Sequence, residues 1–118
     1  MCKVLVIDSD LDILKVVEIL LTMHDCNVET LSAGAEVHEC ISRFKPNIIL
    51  LDIHLGLHDG RQICKEIKNR MESKHLPVIL FSAQHEMGES ALENQADHFF
   101  EKPFDVKHLI STVKRYCN

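Results

Sequence analysis

The chain has 118 residues, 46% of them hydrophobic and 26% charged, proportions that suit one water-facing domain (1–118) with a single buried core. Asp and Glu total 18 against 13 Lys and Arg, a net charge of −5, which argues against nucleic acid or an anionic membrane as the main partner because both reward clustered cations. No apolar run approaches the roughly 18–20 residues of a membrane span, and the opening run is too short for a signal-peptide core, so a cytoplasmic protein is expected.

Val4-Leu5-Val6-Ile7 is a continuous apolar run that stops at Asp8, the pattern of a strand buried on both faces. Ile13, Leu14, Val17, Leu20 and Leu21 then form one helical stripe, with Ser9 or Asp10 as its cap. A weaker strand follows at 27–31, and Val37, Cys40, Ile41 and Phe44 mark a second helix that Pro46 stops. Ile48-Ile49-Leu50-Leu51 repeats the first pattern and ends at Asp52. Ile63, Ile67 and Met71 predict a third helix, and Val78-Ile79-Leu80-Phe81 a strand ending at Ser82. A fourth helix around 87–94 rests only on Met87, Ala91 and Leu92. A short strand at 98–100 leads to Lys102, and Val106, Leu109, Ile110, Val113 and Cys117 share one face of a last helix capped by Asp105. Strands alternating with helices at short loop lengths imply a parallel sheet covered on both faces through right-handed crossovers. The five cysteines, Cys2, Cys26, Cys40, Cys64 and Cys117, form no CxxC pair and read as reduced thiols serving as small hydrophobes.

In open parallel sheets, ligands bind beyond the carboxyl ends of the strands. Asp8, Asp52, Ser82 and Lys102 each follow a candidate strand, so two carboxylates, a hydroxyl and an amine converge on one sheet edge. One such residue alone is more often a cap or a turn residue. The set of four points to metal-assisted phosphoryl transfer. Two carboxylates about 4 Å apart repel by roughly 4 kcal/mol at an effective dielectric near 20, a penalty that a divalent cation removes. One carboxylate can then act as nucleophile, while an amine and a hydroxyl attend the transferred oxygens.

The stretches V-L-V-I-D-S-D at the start, L-L-D-I-H-L-G-L-H-D-G at 50–60, V-I-L-F-S-A at 78–83 and A-D-H-F-F-E-K-P-F at 96–104 resemble the receiver domains of bacterial two-component response regulators. The likeness covers the whole chain. It implies a flavodoxin-like, doubly wound α/β fold, a five-stranded parallel sheet of order 2-1-3-4-5 with five helices. It also implies phosphorylation of Asp52 and Mg²⁺ contacts from Asp8, Asp52 and the backbone carbonyl of His54, with Ser9 reaching the ion through a water. Ser82 becomes the conserved hydroxyl, Lys102 the partner of the phosphoryl group and Phe99 the switch aromatic. His54 and Gln84 fall at the positions that influence phosphoryl lifetime, and the Lys102-Pro103 bond is expected to be cis. The implied partners are a sensor histidine kinase or phosphotransfer protein and a downstream effector, which meets a surface of helix 4, strand 5 and helix 5, with homodimerisation permitted. The implied chemistry is that of a signalling domain rather than an enzyme, limited to self-phosphorylation and slow self-dephosphorylation.

Three positions depart from the family pattern. Ser9 replaces the second of two adjacent acids and should weaken Mg²⁺ binding. Gly56 replaces a usual proline and should loosen the loop after Asp52. Gln95 replaces the glycine of a G-A-D turn, so helix 4 should end differently or with strain. Two other readings compete with a switching receiver. One is a degenerate receiver that binds partners without phosphorylation. The other is a haloacid-dehalogenase-type phosphatase with Asp8 as nucleophile and Asp10 as general acid, which leaves Asp52 without a role. A flavin-binding flavodoxin is disfavoured because the acidic turn after the first strand would repel the cofactor phosphate.

Overall fold

The computed structural model describes residues 1–84 and 87–117. Its principal strands are β1 (Cys2–Ile7), β2 (Cys26–Leu31), β3 (Ile48–Asp52), β4 (Val78–Ser82) and β5 (His98–Glu101). They alternate with α1 (Leu11–Met23), α2 (Val37–Phe44), α3 (Gly60–Lys68), α4 (Met87–Glu93) and α5 (Val106–Cys117). The strands pair in parallel in the order β2-β1-β3-β4-β5, the flavodoxin-like arrangement expected. A two-residue antiparallel ladder, His54–Leu55 against His58–Asp59, stands apart from this sheet.

The continuous apolar runs have a direct cause. Successive strand side chains point to opposite faces, and both faces here are covered by helices. Leu5, Ile7, Ile49, Leu51, Val78 and Leu80 join one core with α2, α3 and α4. Val4, Val6, Ile48, Leu50, Ile79 and Phe81 join the other with α1 and α5. Truncating a fully buried member such as Leu80 to alanine would cost about 2–5 kcal/mol, a large part of the stability of a domain this size.

Short polar residues start three of the helices. The Asp10 carboxylate accepts hydrogen bonds from the amides of Asp12 and Ile13, so Asp10 rather than Ser9 caps α1. Asp59 caps α3 through the Arg61 amide, and Asp105 caps α5 through that of Lys107.

Several expectations are corrected. Met71 lies beyond α3, which stops at Lys68, and is 78% exposed; Ser73 and Leu76 turn inward there instead. Leu92 and Val106 are exposed rather than part of their helices' packed faces. Cys2 and Cys117 are joined in a disulfide, so the expectation of five thiols holds only for the buried Cys26, Cys40 and Cys64. The pair is 115 residues apart in sequence, but β1 begins and α5 ends beside each other, with a Cα separation of 5.7 Å. No local spacing reports such a juxtaposition.

Candidate functional site

Strand register sets the site. Ile7 pairs with Leu51, so Asp8 and Asp52 leave the two central strands at the same level. Asp52 in turn pairs with Phe81, one residue before Ser82. The Lys102 amide donates to the Ser82 carbonyl at 2.8 Å, which carries Lys102 to the same edge. All four residues singled out at strand ends therefore meet at one carboxyl edge of the sheet. The chain must then fold back tightly, and Gly60 allows it: a Cβ there would collide with the Asp52 carbonyl oxygen. Gly56 serves the same loop differently. Its φ is +66° in the two-residue turn of the small ladder, a conformation closed to proline, so the position closes a tight turn rather than loosening the loop.

Asp8 is fully buried and Asp52 nearly so, at 5% exposure. The Lys102 ammonium lies 2.7 Å from Asp8 Oδ2 and 3.4 Å from Asp52 Oδ2, and 5.0 Å above the centre of the Phe81 ring. Asp8 Oδ1 accepts the Asp10 amide at 2.9 Å, and Asp52 Oδ1 accepts the His54 amide at 3.3 Å. Two carboxylates thus share one cation. Burial chiefly, and then the charge of Asp8, push the Asp52 carboxyl up to about 6, against the pull of Lys102 and of the His54 amide.

That surplus of buried negative charge is what a small divalent cation would relieve, and the donors suit one. Asp8, Asp52 and the His54 carbonyl are hard oxygen donors of the kind Mg²⁺ accepts alongside waters. Among the described residues no three His, Cys, Asp or Glu side chains are arranged to hold a metal unaided, so carbonyl and water ligands would have to complete the shell. Ser9 is exposed, and its hydroxyl donates to the His54 carbonyl at 3.4 Å. It thus touches the same oxygen that the family resemblance assigns to the metal.

Ser82 is buried, and its Oγ accepts the Gln84 amide at 3.0 Å. Gln84 and His54 are both exposed at the mouth of the site. Phe99 is not part of the carboxylate cluster. It lies half-buried against the α2–α3–α4 core, its ring 3.2 Å from where a Cβ on Gly88 of α4 would stand. Asp10 is used up as a helix cap, and Asp12 lies in the first turn of α1. The Lys102-Pro103 bond is cis, as the resemblance implies.

Arg61 was missed in the sequence. Its guanidinium holds the Asp59 carboxylate at 2.6 Å and reaches α4, donating to Ser90 Oγ at 2.9 Å and to Met87 Sδ at 3.6 Å. It ties the loop after Asp52 to the helix above Phe99. An arginine just inside a helix carries no local signal of such a contact.

The chain matches the response regulator receiver domain over residues 4–114. Protein PilG of Pseudomonas aeruginosa is 34% identical over 116 residues, 97% of this chain and 86% of that protein. Transcriptional regulatory protein KdpE of Staphylococcus aureus is 32% identical over 114 residues, 95% of this chain but only 48% of KdpE, so the chain spans about half of that relative. Among solved structures, the BeF3-activated N-terminal receiver domain of Klebsiella pneumoniae RstA has a TM-score of 0.90 at 23% identity, with 98% of each chain covered. The chemotaxis response regulator CheY4 of Vibrio cholerae has a TM-score of 0.89 at 23% identity, again over 98% of each chain. At those identities the structures speak for the fold alone. The match across nearly the whole chain and the identity with PilG go further: the chain belongs to the response regulator receiver domain family.

Proposed function

We propose that the chain is a phosphorelay receiver that accepts a phosphoryl group on Asp52 from a histidine kinase or phosphotransfer protein. The observation that carries this reading is the buried Asp52 carboxylate, paired with a second buried carboxylate across a shared lysine. With its pKa near 6, Asp52 is mostly ionised at neutral pH and can act as nucleophile. Its oxygen forms a bond to phosphorus as the donor's P–N bond breaks, leaving an acyl phosphate on Asp52 and the donor imidazole free. Lys102 can follow the added charge, since its ammonium already lies between the two carboxylates. Ser82 accepts a backbone amide and donates to no partner among the described residues, which leaves its proton for a phosphoryl oxygen. Asp8, Asp52 and the His54 carbonyl would hold a divalent cation, which would supply charge neutralisation for the carboxylates and the incoming oxygens.

The product carries more negative charge than the carboxylate it replaces. Ser82 turning towards it would open room on the α4 side, where Phe99 waits half-buried, and would reshape the α4–β5–α5 surface for an effector. His54 and Gln84, exposed beside the site, carry no carboxylate, and an imidazole and an amide can still hydrogen-bond an attacking water, so they bear on the lifetime of the acyl phosphate through both access and water orientation.

The test is incubation with acetyl phosphate and Mg²⁺ followed by intact mass. One added phosphoryl group is expected on the wild type and none on Asp52→Asn. No adduct on the wild type at saturating Mg²⁺ sinks the switch. That outcome would leave a phosphorylation-independent interaction module, the reading that Ser9 and the positive φ of Gln95 favour. Phosphatase chemistry would instead show turnover that needs Asp8 and survives Asp52→Asn. It is opposed by Asp10, whose carboxylate is engaged in capping α1.

A further inference from the structure

At the end of the sheet away from Asp52, β1, β2 and α5 bring three cysteines together. Cys2 pairs in register with Cys26, so their side chains share a face, and Cys117 packs into the same cluster from α5. All three line a shallow cleft of about 490 Å³ that also holds His24 and Lys114. The three are not equivalent. Cys26 is 5% exposed, whereas Cys2 and Cys117 are half-buried and within reach of solvent.

We propose that Cys2 and Cys117 form a reversible thiol–disulfide site that staples the last turn of α5 to the start of β1, with a small-molecule disulfide such as glutathione disulfide as its oxidant. One protein thiolate attacks the oxidant, forming a mixed disulfide and releasing one small thiol. The second protein thiolate then displaces the other. The two cysteines give up two protons and two electrons, and the oxidant leaves as two thiols. The Cα separation of 5.7 Å lies in the range that a disulfide spans without moving the backbone. Cys26, although paired with Cys2 in the sheet, is a poor competitor, because burial pushes its thiol up and disfavours the thiolate that must attack.

The staple has something to act on. Apart from the Cys117 link, the last turn of α5 is held by the Tyr116 hydroxyl, which donates to the Asp97 carbonyl at 3.2 Å. Asp97 in turn receives Lys68 Nζ at 2.6 Å and the Val78 amide at 2.8 Å. Reduction leaves the end of α5 on that exposed tether and its apolar packing. Oxidation closes nearly the whole chain into a loop, which restricts the unfolded state strongly.

The inference is independent of Asp52 and is tested without phosphorylation. The full chain is equilibrated with an excess of glutathione disulfide, or with dithiothreitol, then unfolded, alkylated and weighed intact. In the oxidising buffer two fewer thiols should take the label than in the reducing one, and peptide mapping should join Cys2 to Cys117. The melting temperature should rise by about 10 °C on oxidation and return with dithiothreitol. Cys26→Ser should keep that shift, and Cys117→Ser should lose it. Five alkylatable thiols in the oxidising buffer, a link that maps to Cys26, or a link that leaves the melting temperature unmoved would each overturn the proposal.

Discussion

Asp52 is held where burial and the charge of Asp8 both act against its ionised form, while one lysine serves two carboxylates. With its folded pKa near 6 against the ordinary 3.8, the folded protein binds the Asp52 proton more tightly than the unfolded chain does. The stability this contributes is full below about pH 4 and is lost as pH rises through 6. In the presence of a chelator, Asp52→Asn should therefore unfold at higher urea than the wild type at pH 7, by about 1–3 kcal/mol, with the gap closing near pH 4. Urea melts at several pH values check this, and a gap that does not change with pH removes the electrostatic account. Ser9 makes the complementary case. Ser9→Asp adds a carboxylate beside the cluster and removes the hydroxyl that touches the His54 carbonyl. Calorimetric titration should show Mg²⁺ binding about tenfold tighter. An unchanged affinity would mean that Ser9 does not limit Mg²⁺ binding.

Among the helices, α4 buries the fewest residues. It spans only seven residues, Met87–Glu93, and Ala91 alone is fully buried. Gln95 closes it at φ +74°, in the left-handed region where glycine would sit without strain. Gln95→Gly should stabilise the fold by about 0.5–1 kcal/mol, the relief of strain outweighing the extra freedom of the unfolded chain; a loss in thermal melts would contradict this. Arg61 holds the other side. Arg61→Ala removes its bond to Ser90, and amides over 87–96 should then exchange about fivefold faster, with those of β3 unmoved. This weakness is also why α4 was hard to read. The central strands announced themselves because both faces of the sheet are buried and every residue must be apolar. A short helix with one buried residue leaves almost no period, and Leu92 and Met71 supplied false members of helical stripes. The Gly56 turn and the small ladder at 54–59 were invisible for a related reason: they are set by backbone geometry, not by hydrophobic pattern.

Across the whole molecule, the sheet separates two ends with different chemistry. Asp8, Asp52, Ser82 and Lys102 could be read together from the sequence because the fold rule that places strand ends on one edge is general. Cys2 and Cys117 could not, because their meeting depends on where the first strand starts and the last helix stops. β1 has six residues at about 3.3 Å each, which puts roughly 20 Å between the cysteine end and the carboxylates. Sites that far apart, with no shared partner among the described residues, are expected to act additively. Oxidised and reduced protein should then bind Mg²⁺ and take up the phosphoryl group from acetyl phosphate within about twofold of each other, even as their melting temperatures differ. Labelling rates measured in both redox states decide the matter. A difference well beyond twofold would mean that α5, which packs on β1 and β3 and follows directly from the Lys102-Pro103 segment, carries strain from one end of the sheet to the other.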